Sequence, residues 1–164
     1  LDFYYSFVII LNRDNFLNMF EETALKYQKF APLFLRIGLA LVFVFFAIQK
    51  LTKPGQGTAE VQLLLNLELA DAAAINYYLG LMEFCIAISF ILGFKVRIFA
   101  LISSVMVVMF FLSFLAKYGI SINPDLYRDV GLIGASIALF LLGAGPMSID
   151  MRTPTTKEKN EQVS

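Results

Sequence analysis

Histidine and tryptophan are absent from this 164-residue sequence, and cysteine occurs once, as Cys85. Without His, imidazole ligation of haem and His-based zinc or copper sites are excluded. One thiol forms neither an internal disulfide nor a CxxC pair, so the chain cannot pass electrons through paired thiols of its own. Without Trp, an aromatic belt at a membrane boundary must be built from the 7 Tyr and 17 Phe. Charge is scarce as well: 16% of residues are charged, against roughly 25% in soluble domains. The 13 Lys and Arg balance the 13 Asp and Glu, so no broad basic field points to nucleic acid. What remains is apolar. Hydrophobic residues make up 59% of the chain, and a soluble domain of this length has too little interior to hold them. The composition is that of an integral membrane protein.

Four long apolar segments follow one another: Leu33 to Leu51, Ile75 to Phe94, Ile98 to Lys117 and Val130 to Met147. Each is about 17–20 residues long, enough to cross ~30 Å of hydrocarbon as a helix. The fold expected is an all-α integral membrane four-helix bundle, with an amphipathic segment between helices one and two. Lys53-Pro54-Gly55-Gln56-Gly57 stops the first helix, Gly93 to Arg97 is a tight cationic turn, and Asn123-Pro124-Asp125 opens the fourth helix. From Thr58 to Ala74, Leu63, Leu67 and Ala70 share one face, while Gln62, Asn66 and Glu68 lie elsewhere. This stretch is too polar to span and is expected to lie on the membrane or cap the bundle.

The expected organisation is an N-terminal extension over residues 1–30, a four-helix domain over 31–151 and a polar, aperiodic, disordered tail over 152–164. Residues 1–18 read either as an amphipathic extension or as sequence ahead of a start at Met19. They lack the cationic n-region and small-residue cleavage site of a signal peptide. With the N-terminus inside, nine cations fall on the inner side: Arg13, Lys26, Lys29, Arg36, Lys95, Arg97, Arg152, Lys157 and Lys159. Four fall outside: Lys50, Lys53, Lys117 and Arg128. The excess places both termini in the cytoplasm and the protein in the cell membrane.

Glu83 is the most informative residue. A carboxylate at membrane depth costs roughly 2.5–3.5 kcal/mol. It must therefore face the bundle interior, pair with a cation or stay protonated. It is either a proton-handling or ligand-binding group, or an acid that fixes helix packing. The topology brings Gln49 and Lys50 from the first helix and Arg128 and Asp129 from the fourth to the same outer level. These five form the candidate polar site. Arg128 is the expected partner of Glu83, because a guanidinium binds a carboxylate bidentately, and Lys50 is the alternative. Lys117 is expected to snorkel to headgroups. On the inner side, Asp150 is expected to pair with Arg36 or Arg97 and hold the end of the fourth helix. Gly131, Gly134, Ala135, Ala138, Gly143 and Gly145 give that helix a small-sided face for close packing. The sequence offers no metal site, phosphate loop, dinucleotide fingerprint or hydrolase nucleophile with its base.

Taken in order, these residues resemble the DoxX family of small four-helix membrane proteins. Arg36 stands early in the first helix, Gly80 and Glu83 match a Gly-x-x-Glu in the second, and Leu92, Gly93 and Arg97 match a Leu-Gly-x-x-x-Arg link. Arg128-Asp129 opens the last helix, and Gly143, Ala144, Gly145, Ser148 and Asp150 match its closing signature. The resemblance covers roughly Leu33 to Met151. The family is similar to the membrane subunit of thiosulfate:quinone oxidoreductase. That likeness implies a membrane subunit supporting quinone-linked oxidation of a sulfur compound or thiol, with no intrinsic cofactor, a quinone between the helices and a redox partner subunit. Two other classes stay open: a small proton-coupled transporter, and a non-catalytic membrane scaffold.

Overall fold

The structure, a computed structural model, describes residues 18–65, 69–119 and 124–150. Readings that fall on residues 1–17, on residues 66–68, on residues 120–123 with Asn123 of the expected turn, or on the tail from residue 151 lie outside these. The chain divides into two units between Ala31 and Pro32. In the first, residues 18–27 are helical and a 3-10 turn, Gln28–Phe30, follows. Met19, Phe20, Leu25 and Tyr27 are exposed there.

The second unit is built of helices: α1 (Ala31–Thr52), α2 (Ala59–Leu65), α3 (Leu69–Leu92), α4 (Val96–Tyr118) and α5 (Pro124–Leu142). Among the described residues there is no strand. The helices are apolar on both faces, and only one face is buried. In α1, Arg36, Leu39, Ala40, Phe43 and Ala47 turn inward. Phe34, Ile37, Leu41, Phe45 and Ile48 turn outward at the same three-and-four spacing and are exposed. An outward stripe of that size is unfavourable in water and is the surface a bilayer covers.

Three helical stretches are long and apolar enough to cross a membrane: Asn18–Thr52, Asp71–Leu92 and Val96–Ala116. The fourth expected span, α5, is shorter in apolar length because Asp125, Arg128 and Asp129 occupy its first turns. It packs along α4, and Ser103 of α4 donates to Ser136 of α5 at 3.2 Å between two fully buried hydroxyls. The chain is therefore an all-α membrane bundle of three long apolar helices and this fourth one. Its core joins Phe43 of α1, Ile86 and Phe90 of α3, Val96, Ala100 and Val107 of α4, and Leu132 and Leu139 of α5. Phe43 and Phe90 meet edge to face, with ring centroids 6.2 Å apart.

The segment expected between helices one and two includes α2, and residues from Leu69 belong to α3. Val61 of α2 is fully buried and α2 packs on both α3 and α4, so of the two expectations, lying on the membrane or capping the bundle, the packing fits the cap. The small residues expected to allow close packing divide: a Cβ added at Gly131 or Gly134 would meet nothing within 4 Å, whereas one at Gly145 would come within 2.7 Å of Pro32, and Ala135 packs against the core.

Candidate functional site: a charged chamber between α1, α3, α4 and α5

The two ends of the bundle use their polar residues in opposite ways. At one end Arg36 is 1% exposed. Its Nε donates to the Phe90 carbonyl at 2.9 Å and its two amino groups donate to the carbonyls of Ala144 at 2.7 Å and Ile91 at 3.3 Å. The last carbonyls of a helix have no partner within it, and the guanidinium fork supplies one to the end of α3. Asp150 accepts from the backbone N–H groups of Lys95 at 2.7 Å and Val96 at 3.0 Å. It thereby caps α4, where a carboxylate also meets the positive end of the helix dipole. Of the arginines expected to pair with Asp150, Arg36 feels its charge, while the carboxylate's hydrogen bonds go to this cap and the Arg36 hydrogen bonds go to carbonyls. Arg97 lies against the Gly143 backbone, where an added Cβ would sit 3.1 Å from its Nε. Gly93 closes the knot. Its φ is +69°, and a Cβ there would sit 2.6 Å from the Ser148 Cβ and 2.9 Å from the Arg36 Cζ. The Gly93 carbonyl accepts from Asp150 N–H at 3.0 Å.

At the other end the polar groups surround a chamber of about 320 Å³. The five residues singled out in the sequence, Gln49, Lys50, Glu83, Arg128 and Asp129, all line it. Glu83 is 2% exposed, and its Oε1 accepts from the Lys50 ammonium, whose side chain is 15% exposed. Glu83 thus pairs with Lys50 of α1. Arg128 donates to Asp129 Oδ1 through Nε at 3.1 Å and through an amino group at 3.0 Å. Its guanidinium lies over the Phe46 ring at 4.8 Å. The backbone explains the Lys50–Glu83 pair. A Cβ at Gly80, one turn before Glu83, would come within 2.9 Å of the Lys50 Cβ and 3.2 Å of Leu51. Gly80 lets α1 and α3 approach until a lysine stem reaches the carboxylate. The side chain of Lys117 lies outside the described residues.

Several chamber residues carry no signal in the sequence. Phe43, Phe46 and Phe110 supply ring surface, and Gln56 and Gly57 bring the loop after α1 to the wall. Lys50 stands over the rings of Phe46 and Phe110 at 5.7 and 5.8 Å, a cation–π arrangement that holds charge against an apolar wall. Asn76 fixes the loop. Fully buried, it donates from Nδ2 to the carbonyls of Pro54 at 2.9 Å and Gln56 at 3.1 Å. A lone Asn at the start of an apolar segment was the available clue. Among the described residues no group of His, Cys, Asp and Glu is arranged to hold a metal.

An all-helical membrane bundle with a buried acid–lysine pair defines the class of protein. The family model for DoxX matches residues 31–116, more than half of the chain, and the chain belongs to the DoxX family. The matched range contains Arg36, Gly80, Glu83, Gly93 and Arg97, and ends before α5 with Arg128 and Asp129. Neither the curated proteins nor the solved structures provide a match.

Proposed function

We propose that this DoxX-family protein is a membrane subunit that supports quinone-linked oxidation of a sulfur compound or thiol, and that the quinone ring is bound in the Lys50–Glu83 chamber. The observation that carries the reading is the chamber itself: two cations, a buried carboxylate and phenyl rings around one opening at the membrane. Its volume falls within the ~300–1,000 Å³ common for small-molecule sites. The rings of Phe43, Phe46 and Phe110 suit a flat apolar ring, and the donors of Lys50 and Arg128 suit its carbonyl oxygens.

Reducing a quinone to a quinol takes up two electrons and two protons. The sulfur substrate gives up the electrons, directly or through a redox partner subunit. Lys50 and Glu83 hold and hand on protons at the quinone oxygen, a role that buried acids in membranes commonly serve. The excess of cations on one side supports a cell-membrane protein with both termini in the cytoplasm and the chamber at the outer end.

The test is binding of a ubiquinone or menaquinone analogue to the purified protein in lipid nanodiscs. Saturable binding that Glu83→Gln weakens supports the proposal. Absence of binding to the wild-type protein overturns it and leaves the transporter and scaffold readings, which proton-driven uptake in vesicles separates.

A further inference from the structure

A second cavity, of about 440 Å³, lies between α2, α3 and α4. Its walls come from Val61 and Leu65 of α2, Leu79 and Met82 of α3, and Ile102 and Val105 of α4. Every one of these side chains is apolar. Met106 and Phe110 line this groove too, and the same two residues line the charged chamber. A polar chamber and an apolar groove therefore share one partition, a juxtaposition that fits a single molecule with a polar head and an apolar tail.

We propose that the groove holds the isoprenoid or alkyl tail of the same molecule whose ring lies beside Lys50 and Glu83. The inference rests on the quinone reading and adds to it: the ligand is a long-chain amphiphile, and α2 is part of its site. That the two cavities meet on either side of Met106 and Phe110 argues for one ligand over two, with these flexible side chains as the point its tail passes. The thioethers of Met82, Met106 and Met109 suit a flexible chain, because unbranched Met side chains adapt to irregular apolar shapes. Lipid is as apolar as the groove, so moving a tail from bilayer to groove yields no hydrophobic gain. The gain is contact with preformed walls, and the tail in turn tethers the ring at its chamber.

Two probes separate the parts: a dimethoxy-methyl-benzoquinone with no side chain, and its decyl derivative. Both are titrated against the full chain in phosphatidylcholine nanodiscs, for the wild-type protein and for Ile102→Trp, which fills the groove. Partition of the decyl probe into lipid is the same for both proteins and cancels in the comparison. Ile102→Trp is expected to weaken the decyl probe about tenfold, a modest factor because the tail only exchanges one apolar surrounding for another. The ring-only probe should stay within about twofold, since it makes no groove contact. Val105→Phe, at a half-exposed groove position, should act in the same direction and serves if the Trp variant does not fold. Unchanged decyl binding in the groove variants would mean that bulk lipid fills the groove, and would overturn the inference. Equal weakening of both probes would overturn it too. Failure of the ring-only probe to bind the wild-type protein is a different result: it removes the quinone reading and the tail assignment with it.

Discussion

Replacing Lys50 with Met tests the chamber's central interaction. The methionine keeps most of the stem and removes the ammonium, leaving Glu83 in a site where it is 2% exposed. Breaking one side of a buried pair costs about 3–5 kcal/mol. Lys50→Met should therefore lose about 3–5 kcal/mol, measured by SDS titration of the micellar protein followed by circular dichroism. Glu83→Gln should lose less, because Lys50 is 15% exposed and its ammonium can reach the chamber opening on a flexible stem. The double variant Lys50→Met with Glu83→Leu removes both charges and should recover to within about 1 kcal/mol of the wild type, as buried pairs replaced by apolar residues do. A Lys50→Met loss below about 1 kcal/mol, or a double variant whose loss is the sum of the singles, would refute the reasoning.

Arg36→Met should lose about 3 kcal/mol in the same titration, since three carbonyls lose a charged donor, and Arg36→Lys should recover only part because a lysine lacks the planar fork. Asp150→Ala removes the cap of α4 and should lose about 1–2 kcal/mol, with the α4 N-terminal amides gaining hydrogen exchange. Gly93→Ala forces a Cβ to 2.6 Å from Ser148 and should fail to give a stable fold. Gly131→Ala meets nothing within 4 Å and should gain up to about 1 kcal/mol of helix propensity.

How much was legible follows from the physics of each residue. The apolar segments were legible because a bilayer sets one length for all of them. Glu83 was legible because a carboxylate inside such a segment needs a partner, and antiparallel neighbours at one level limit the choice to a few residues. All five candidates do line one chamber. That Lys50 reaches it was not legible: what brings the lysine there is the close approach of α1 and α3 at Gly80, a distance that sequence does not encode locally. The cap made by Asp150 was not legible for a related reason: charge complementarity pointed to arginines, and it takes a chain reversal to bring the carboxylate to two backbone N–H groups as well. The burial of α2 was equally hidden, since an amphipathic pattern shows that a face is covered and leaves open whether lipid or protein covers it.

The contrast between the two ends bears on whether the chamber is a site or a by-product of packing. At the Arg36 end the polar groups bond to backbone, and at Gly93 there is no room even for a methyl group. Such closure is what a scaffold needs, and it is complete there. At the Lys50 end charges of both signs instead ring an opening of about 320 Å³. A cavity ringed by several polar groups is one that water or a polar ligand can occupy, whereas an apolar one stays dry. Membrane helices with these sequences could close it with apolar side chains at no cost in solubility. Retaining Lys50, Glu83, Gln49 and Arg128 around it makes sense if something polar enters. The apolar groove across Met106 and Phe110 then narrows what enters to a molecule that is polar at one end only.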